Sequence, residues 1–218
     1  MTVAAVIPAK DEAERIAATV AAARTVADVV VVVDDGSRDA TAAEAERAGA
    51  LVVRHPRNRG KAAAMESGAQ AVPDADLLLF LDADLRETAA EAHLLVAAVR
   101  DGYDCAIANL PPAEGAGGHG FVVRLARDGI RAATGFTANQ PLSGQRCLTR
   151  QAYASALPLA KGFGVETAMT IALLRSGCRV VEVPTAMAHR VTGTSWRHRL
   201  HRARQYNDVR KALRRRGI

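Results

Sequence analysis

The chain is short of aromatic side chains (4%), of cysteine (three) and of long apolar runs. So few aromatics leave few platforms for stacking bases, which argues against a nucleic-acid-binding protein. Cys105, Cys147 and Cys178 are widely separated and form no C-x-x-C pair, so neither a disulfide framework nor a zinc site is expected. The longest aliphatic runs, Val29 to Val33 and Leu77 to Leu81, fall far short of the roughly 20 residues that span a bilayer. A strand pattern begins at Thr2, without the basic start, apolar stretch and cleavage site of a signal peptide, and the reading is a cytoplasmic protein. Glycine is missing where a dinucleotide fold needs it: Pro8 to Glu12 carries no G-x-G-x-x-G. Gly60-Lys61-Ala62 has the lysine of a Walker loop without the upstream glycine or the following hydroxyl.

What the chain has is length for one well-buried core, with 49% hydrophobic and 24% charged residues over 218 positions. Its net charge of +6 is concentrated at one end. From Arg197 onward nine Lys/Arg face one acid, Asp208, leaving that segment at +8 and the remainder at −2. Leu200, Ala203, Tyr206, Val209 and Leu213 have the spacing of an amphipathic helix that packs one stripe and turns arginines outward. A solvated helix is one reading of this tail, and contact with an anionic membrane surface at the inner face of the membrane is another.

Apolar strands alternate with helical stretches. Val3 to Ile7, Val29 to Val33, Leu51 to Arg54, Leu77 to Leu81, Asp104 to Ala108 and Arg179 to Val183 read as strands. Helices are expected over Asp11 to about Ala23, Ala40 to Ala48, Lys61 to Ala71, Phe121 to Thr134 and Val165 to Ser176, with a loop or lid over Leu110 to Gly120. A βαβαβαβ order predicts an α/β fold: one mostly parallel sheet with right-handed crossovers and helices on both faces. The division expected is a main domain over 1–194, with a nucleotide half over 1–109 and an acceptor half over 110–194, followed by a basic helix over 195–218.

The polar clusters fall where strands end. Pro8-Ala9-Lys10-Asp11-Glu12 follows the first strand, Asp34-Asp35-Gly36-Ser37 the second, Asn58-Arg59-Gly60-Lys61 opens the third helix, and Asp82-Ala83-Asp84 follows the fourth strand. Each also serves as turn or cap chemistry. Together they converge on one rim of the sheet, where open α/β proteins bind ligands. Two carboxylates one residue apart at such a rim offer hard oxygen ligands for a divalent metal holding a diphosphate.

These residues resemble a known family. VIPAKDEAERI, VVVVDDGSRDAT, RNRGKAAAMESG and LLLFLDADL are similar, in order and spacing, to the nucleotide-binding half of family 2 type glycosyltransferases of the GT-A fold. QPLSGQR, GFGVET and AHRVTG resemble the glucosyl-3-phosphoglycerate synthases of that superfamily, although Gln145 stands where those enzymes tend to carry Glu. The resemblance implies a metal-dependent hexosyltransferase using a nucleoside-diphosphate sugar, with a UDP-sugar favoured. Pro8, Ala9, Lys10 and Glu12 would line the base and ribose pocket, and Asp35 or Asp34 would meet the nucleobase edge. Lys61 would meet the diphosphate and Asp82, beside Ala83, the ribose or sugar. Asp84 and His189 would hold Mg²⁺ or Mn²⁺, and Glu166 would serve the acceptor. The implied acceptor is a small phosphorylated molecule such as 3-phosphoglycerate, with Arg124, Arg127 or Arg190 as its partners. A polyprenyl phosphate is the alternative, in the manner of the dolichyl-phosphate sugar synthases. A homodimer is an assembly left open. The readings from other classes are a nucleotidyltransferase, which lacks its usual glycine-rich opening loop here, and a noncatalytic binder of anionic partners.

Overall fold

The structure, a computed structural model, describes residues 1–111, 120–188 and 206–214. Its sheet has seven strands in the order β3-β2-β1-β4-β6-β5-β7. They are β1 (Val3–Ala9), β2 (Val29–Asp34), β3 (Leu51–Arg54), β4 (Leu77–Phe80), β5 (Cys105–Asn109), β6 (Arg146–Thr149) and β7 (Val180–Pro184). β1, β2, β3 and β4 run parallel, as the sequence leads one to expect, because continuous Val and Leu runs suit strands covered on both faces. β6 is the exception, antiparallel to both β4 and β5.

The helices are α1 (Ile16–Ala23), α2 (Thr41–Arg47), α3 (Lys61–Gln70), α4 (His93–Arg100), α5 (Gly120–Thr134), α6 (Arg150–Ala156) and α7 (Val165–Arg175). One core layer joins the sheet to α1, α2, α4 and the 3-10 turn Arg86–Ala92. A second layer on the opposite face joins it to α3, α6 and α7. Residues 206–214 form a further helix, whose Val209 and Leu213 are buried in a satellite cluster with α5 and Ile171 of α7. No helix among the described residues is long and apolar enough to cross a membrane. Cys105 and Cys147 are free and buried, and burial pushes the Cys105 thiol up to about 12, consistent with inert core thiols.

Three expectations need correction. The helix expected from Asp11 starts only at Ile16. The backbone N–H groups of Asp11, Glu12 and Ala13 instead donate to Ser37 Oγ, Thr41 Oγ1 and Asp39 Oδ2, and Asp11 sits at φ 55°. Side chains from the second strand's loop thus pull this stretch out of helical geometry. Residues 86–100 carry the 3-10 turn and α4 where no helix was assigned. β6 and α6 occupy the stretch after Gly144, for which no element is expected; β6 reads Arg-Cys-Leu-Thr, without the aliphatic run that marks the equally short β3 and β4. The expected loop over Leu110 to Gly120 lies mostly outside the described residues.

Candidate active site at the strand ends

The sheet order reverses between β1 and β4: β2 and β3 build out from one side of β1, and β4 lies on the other. Such a switch point leaves a crevice beyond the carboxyl ends of the strands. Three further elements turn their starts toward that crevice. α3 begins with Lys61, α7 carries Glu166 in its first turn, and antiparallel β6 sets Arg146 opposite Phe80, so Gly144 and Gln145 arrive beside the end of β4.

At the centre, Lys61 Nζ lies 2.7 Å from Asp82 Oδ1 and 2.9 Å from Glu166 Oε1. Gln145 Nε2 donates to the other oxygen, Asp82 Oδ2, at 3.0 Å. The Lys61 side chain keeps 31% of its surface exposed, while Glu166 as a residue is 8% exposed. Burial would push the ammonium down, but the Asp82 and Glu166 carboxylates outweigh it and hold Lys61 above the ordinary lysine range. An ammonium has three N–H donors, and two are directed at these carboxylates. Gly144 makes the close approach feasible: a Cβ there would fall 2.5 Å from Lys61 Nζ and 3.1 Å from both Asp82 oxygens.

A second network locks the loop that leads into α3. Asp35, 5% exposed, accepts from the backbone N–H of Arg59 and Gly60, each at 2.8 Å, and its Oδ1 lies 2.7 Å from His55 Nδ1. His55 Nε2 reaches Ser67 Oγ on α3 at 3.0 Å. Desolvation would raise the Asp35 carboxyl; the bonds from His55, Arg59 and Gly60 prevail and hold it below the usual carboxylate range. Asp34 Oδ1 accepts from Ser37 N at 2.8 Å, closing the turn after β2.

Deeper in, Arg146 is 1% exposed. Its Nε donates to Ser143 O at 2.8 Å and its Nη1 to Thr170 Oγ1 at 2.9 Å, and that hydroxyl donates to Glu166 O at 3.0 Å. The guanidinium therefore ties the loop carrying Gly144 to the helix carrying Glu166. Burial pushes Arg146 below the ordinary arginine range.

The structure brings Lys61, Asp82 and Glu166 together as one cluster, and sets Asp34 and Asp35 in the adjoining loops. Pro8 and Ala9 close β1, and Ala83 is buried with its carbonyl accepting from Thr19 Oγ1 at 2.9 Å. Lys10 pairs with Asp11 at 2.6 Å and Glu12 with Arg15 at 3.0 Å. Asp84 lies partly buried two residues beyond Asp82. His189 and Arg190 lie outside the described residues. Arg127 is engaged elsewhere, donating to Ala138 O at 2.7 Å and Asn139 O at 3.0 Å, which makes it a tie between α5 and the following loop.

Sequence reasoning did not single out His55 or Arg146. His55 had an available signal, a polar residue one position past a strand, whereas Arg146 had none, because its partners Ser143 and Thr170 meet only in three dimensions. A cavity of 740 Å³ between α3 and α6, lined by Glu66, Arg150, Tyr153 and Leu157 among others, contains none of the strand-end groups.

The donor set suits a hard cation. Lys61, Asp82, Asp84 and Glu166 carry one positive and three negative formal charges, all the acids being oxygen donors. Among the described residues no group of three or more His, Cys, Asp or Glu is arranged to hold an ion. A cation here would complete its shell with ligand oxygens and water, as Mg²⁺ commonly does.

Comparison with known proteins agrees with this fold. The family model described as glycosyl transferase family 2 matches residues 4–154. Glycosyltransferase AglJ of Haloferax volcanii is 32% identical over 199 residues, covering 86% of this chain. The chain spans 63% of the length of that relative. The crystal structure of glucosyl-3-phosphoglycerate synthase from Mycobacterium tuberculosis with Mg²⁺ and UDP superposes with a TM-score of 0.83 at 26% identity, covering 100% of this chain and 80% of that one. The same enzyme with Mn²⁺, UDP and phosphoglyceric acid gives a TM-score of 0.82 at 26% identity, covering 99% and 78%.

Proposed function

We propose, from the premise that this chain belongs to glycosyl transferase family 2, that it moves a sugar from a UDP-sugar to a small phosphorylated acceptor such as 3-phosphoglycerate. The observation that carries the reading is the Lys61 ammonium held between Asp82 and Glu166 at the switch point of the sheet. Its support from outside the chain is the likeness to a synthase whose structures hold UDP, Mg²⁺ or Mn²⁺ and phosphoglyceric acid.

In this reading Pro8, Ala9, Lys10 and Glu12 line the base and ribose, with Asp34 and Asp35 fixing the loop against which the nucleobase rests. Asp84 and His189 hold Mg²⁺ or Mn²⁺, which when bound neutralises charge on the diphosphate. The remaining Lys61 donor meets the departing β-phosphate, where negative charge grows as the bond to the anomeric carbon breaks, so the contact strengthens in the transition state. Asp82, fixed by Lys61 and Gln145, presents its carboxylate to the ribose or sugar hydroxyls. Glu166 orients the acceptor hydroxyl that bonds to the anomeric carbon.

Calorimetric titration of UDP and GDP, each with and without Mn²⁺, tests the reading. UDP is expected to bind with Mn²⁺ present and far more weakly without it. Binding of neither nucleotide by the folded chain would reduce the family likeness to a likeness of fold. Asp84→Ala should abolish metal-dependent turnover while leaving the fold intact, and near-normal activity would sink the metal assignment. Release of pyrophosphate among the products would point to nucleotidyl transfer instead.

A second acceptor, a polyprenyl phosphate at a membrane surface, is favoured by one face of the molecule. Phe121 is 63% exposed at the start of α5, stacked on Tyr206 with ring centroids 5.3 Å apart, and the same two helices carry the exposed Arg124, Arg210, Lys211 and Arg214. An exposed ring among cations suits an anionic bilayer. Co-sedimentation with phosphatidylglycerol vesicles but not phosphatidylcholine vesicles would support this acceptor class.

A further inference from the structure

The helix at 206–214 packs the apolar stripe that its spacing predicts, and that buried side makes specific contacts. Val209, Ala212 and Leu213 are buried, and three glycines on other elements lie so close to this helix that a Cβ on any of them would collide with it unless the helix or its side chains moved. A Cβ on Gly129 of α5 would fall 2.4 Å from Leu213 Cδ2. One on Gly164 would fall 2.6 Å from Ala212 Cβ and 2.8 Å from the backbone oxygen of Asp208. One on Gly162, at φ +72°, would fall 2.3 Å from Asp208 Oδ2. Gly162 to Gly164 is the 3-10 turn that leads directly into α7, with Gly164 as its cap and Glu166 in its first turn.

We infer that the 206–214 helix is a positioning element for the acceptor side of the site: by pressing on the Gly162–Gly164 turn it sets where Glu166 meets Lys61. The inference rests on the role given to Glu166 above. Two constraints act on the first turn of α7. From within, Arg146 holds Thr170, which bonds back to Glu166 O. From outside, Gly162 has the Asp208 side chain against it, and Gly164 has the Ala212 methyl and the Asp208 backbone, neither of which can swing aside as a long side chain can. A small outward movement of that helix frees the turn, and Glu166 loses its fixed 2.9 Å approach to Lys61 while the strand-end loops of β1 and β2 are untouched. Donor binding and acceptor positioning are therefore separable.

Gly129→Ala tests this from a distance. Alanine favours the α5 helix over glycine, so any loss arises from the collision with Leu213 and not from α5 itself. Leu213→Ala in the same chain removes the colliding branch and restores the fit. Amide hydrogen exchange, which needs no substrate, is read over residues 165–170 in the native chain, Gly129→Ala and the double variant. Exchange there should be about tenfold faster in Gly129→Ala and return to within about twofold of native in the double variant. Mn²⁺-dependent UDP affinity should stay within about twofold throughout. Faster exchange confined to 206–214, or a double variant as loose as the single one, overturns the coupling. Transfer from UDP-glucose to 3-phosphoglycerate should fall with the exchange change, and adding Gly129→Ala to Glu166→Gln should cost little more than Glu166→Gln alone. Losses that multiply overturn the coupling through Glu166. If Glu166→Gln by itself transfers at the native rate, the role of Glu166 falls, while the exchange result still decides whether the helix holds the turn.

Discussion

The two sides of the crevice are built differently. On the β1–β2–β3 side, each candidate group sits a few residues past a strand and is fixed by the loops of that same side: Asp34 closes its own turn, and Asp35 gathers the N–H groups of the loop that leads from β3 into α3. On the β6–α7 side, Gln145, Arg146 and Glu166 take their places from contacts between different elements, to Asp82 after β4, Thr170 on α7 and Lys61 on α3, and from glycines that let another helix close in. The first side is a self-contained rigid cradle. The second is only as well placed as its packing. Lys61 belongs to both, since it opens α3 and reaches Glu166.

Lys61→Met breaks the comparison most severely, because it removes the one group shared by both sides. It leaves Asp82 and Glu166 facing each other without their cation, and transfer should drop by about 100-fold or more, as for other removed electrostatic donors. Steady-state turnover measures this, and a loss under about fivefold would show that Lys61 is only a structural tie.

Gly144→Ala sharpens it at the seam. The added carbon would lie 2.5 Å from Lys61 Nζ, so the ammonium must shift while Asp35 and His55 stay in place. Turnover should fall about tenfold with UDP affinity changed far less, since a small misplacement costs orientation more than binding. Equal loss of both would mean that the seam supports the donor side too.

Asp35→Asn probes the cradle alone, and its readout is stability. An amide keeps an acceptor oxygen but loses the second one and the charge, so unfolding free energy at pH 7 should fall by about 1–3 kcal/mol in urea titrations. The sign with pH follows from the lowered carboxyl. Stability from Asp35 is fully present above its unfolded value, 3.8, and is lost as pH falls through the lower folded value. The native chain should therefore weaken as acid is added below about pH 4, and the variant should weaken less steeply over that window.

Much of the cradle was legible beforehand for a plain reason. β1, β2 and β4 agree with expectation to within one or two residues because buried parallel strands read as aliphatic runs, and the half-exposed edge strand β3 agrees to the residue through its Leu-Val-Val run. The polar clusters after them were visible as candidates because strand ends are where such sheets bind ligands. α4 escaped notice although its His-Leu-Leu-Val-Ala-Ala-Val-Arg sequence carries apolar periodicity, and β6, Arg-Cys-Leu-Thr, has no aliphatic run like those of β3 and β4 to mark it. The start of α1 was misplaced because Asp11 to Ala13 has helical composition but surrenders its N–H groups to the loop of β2.

By itself, then, the sequence determined the parallel half of the sheet, the rim on which the acids gather, and the family motifs, since all of these depend on residues close along the chain. Only the tertiary structure decided that β6 runs backwards to bring Gln145 and Gly144 to Asp82, that a buried Arg146 ties that loop to α7, and that Lys61 bridges Asp82 and Glu166. The physical reason is separation. These contacts join residues from 21 to 63 or more positions apart, and no local propensity or period encodes which distant side chain will face which once the sheet has closed.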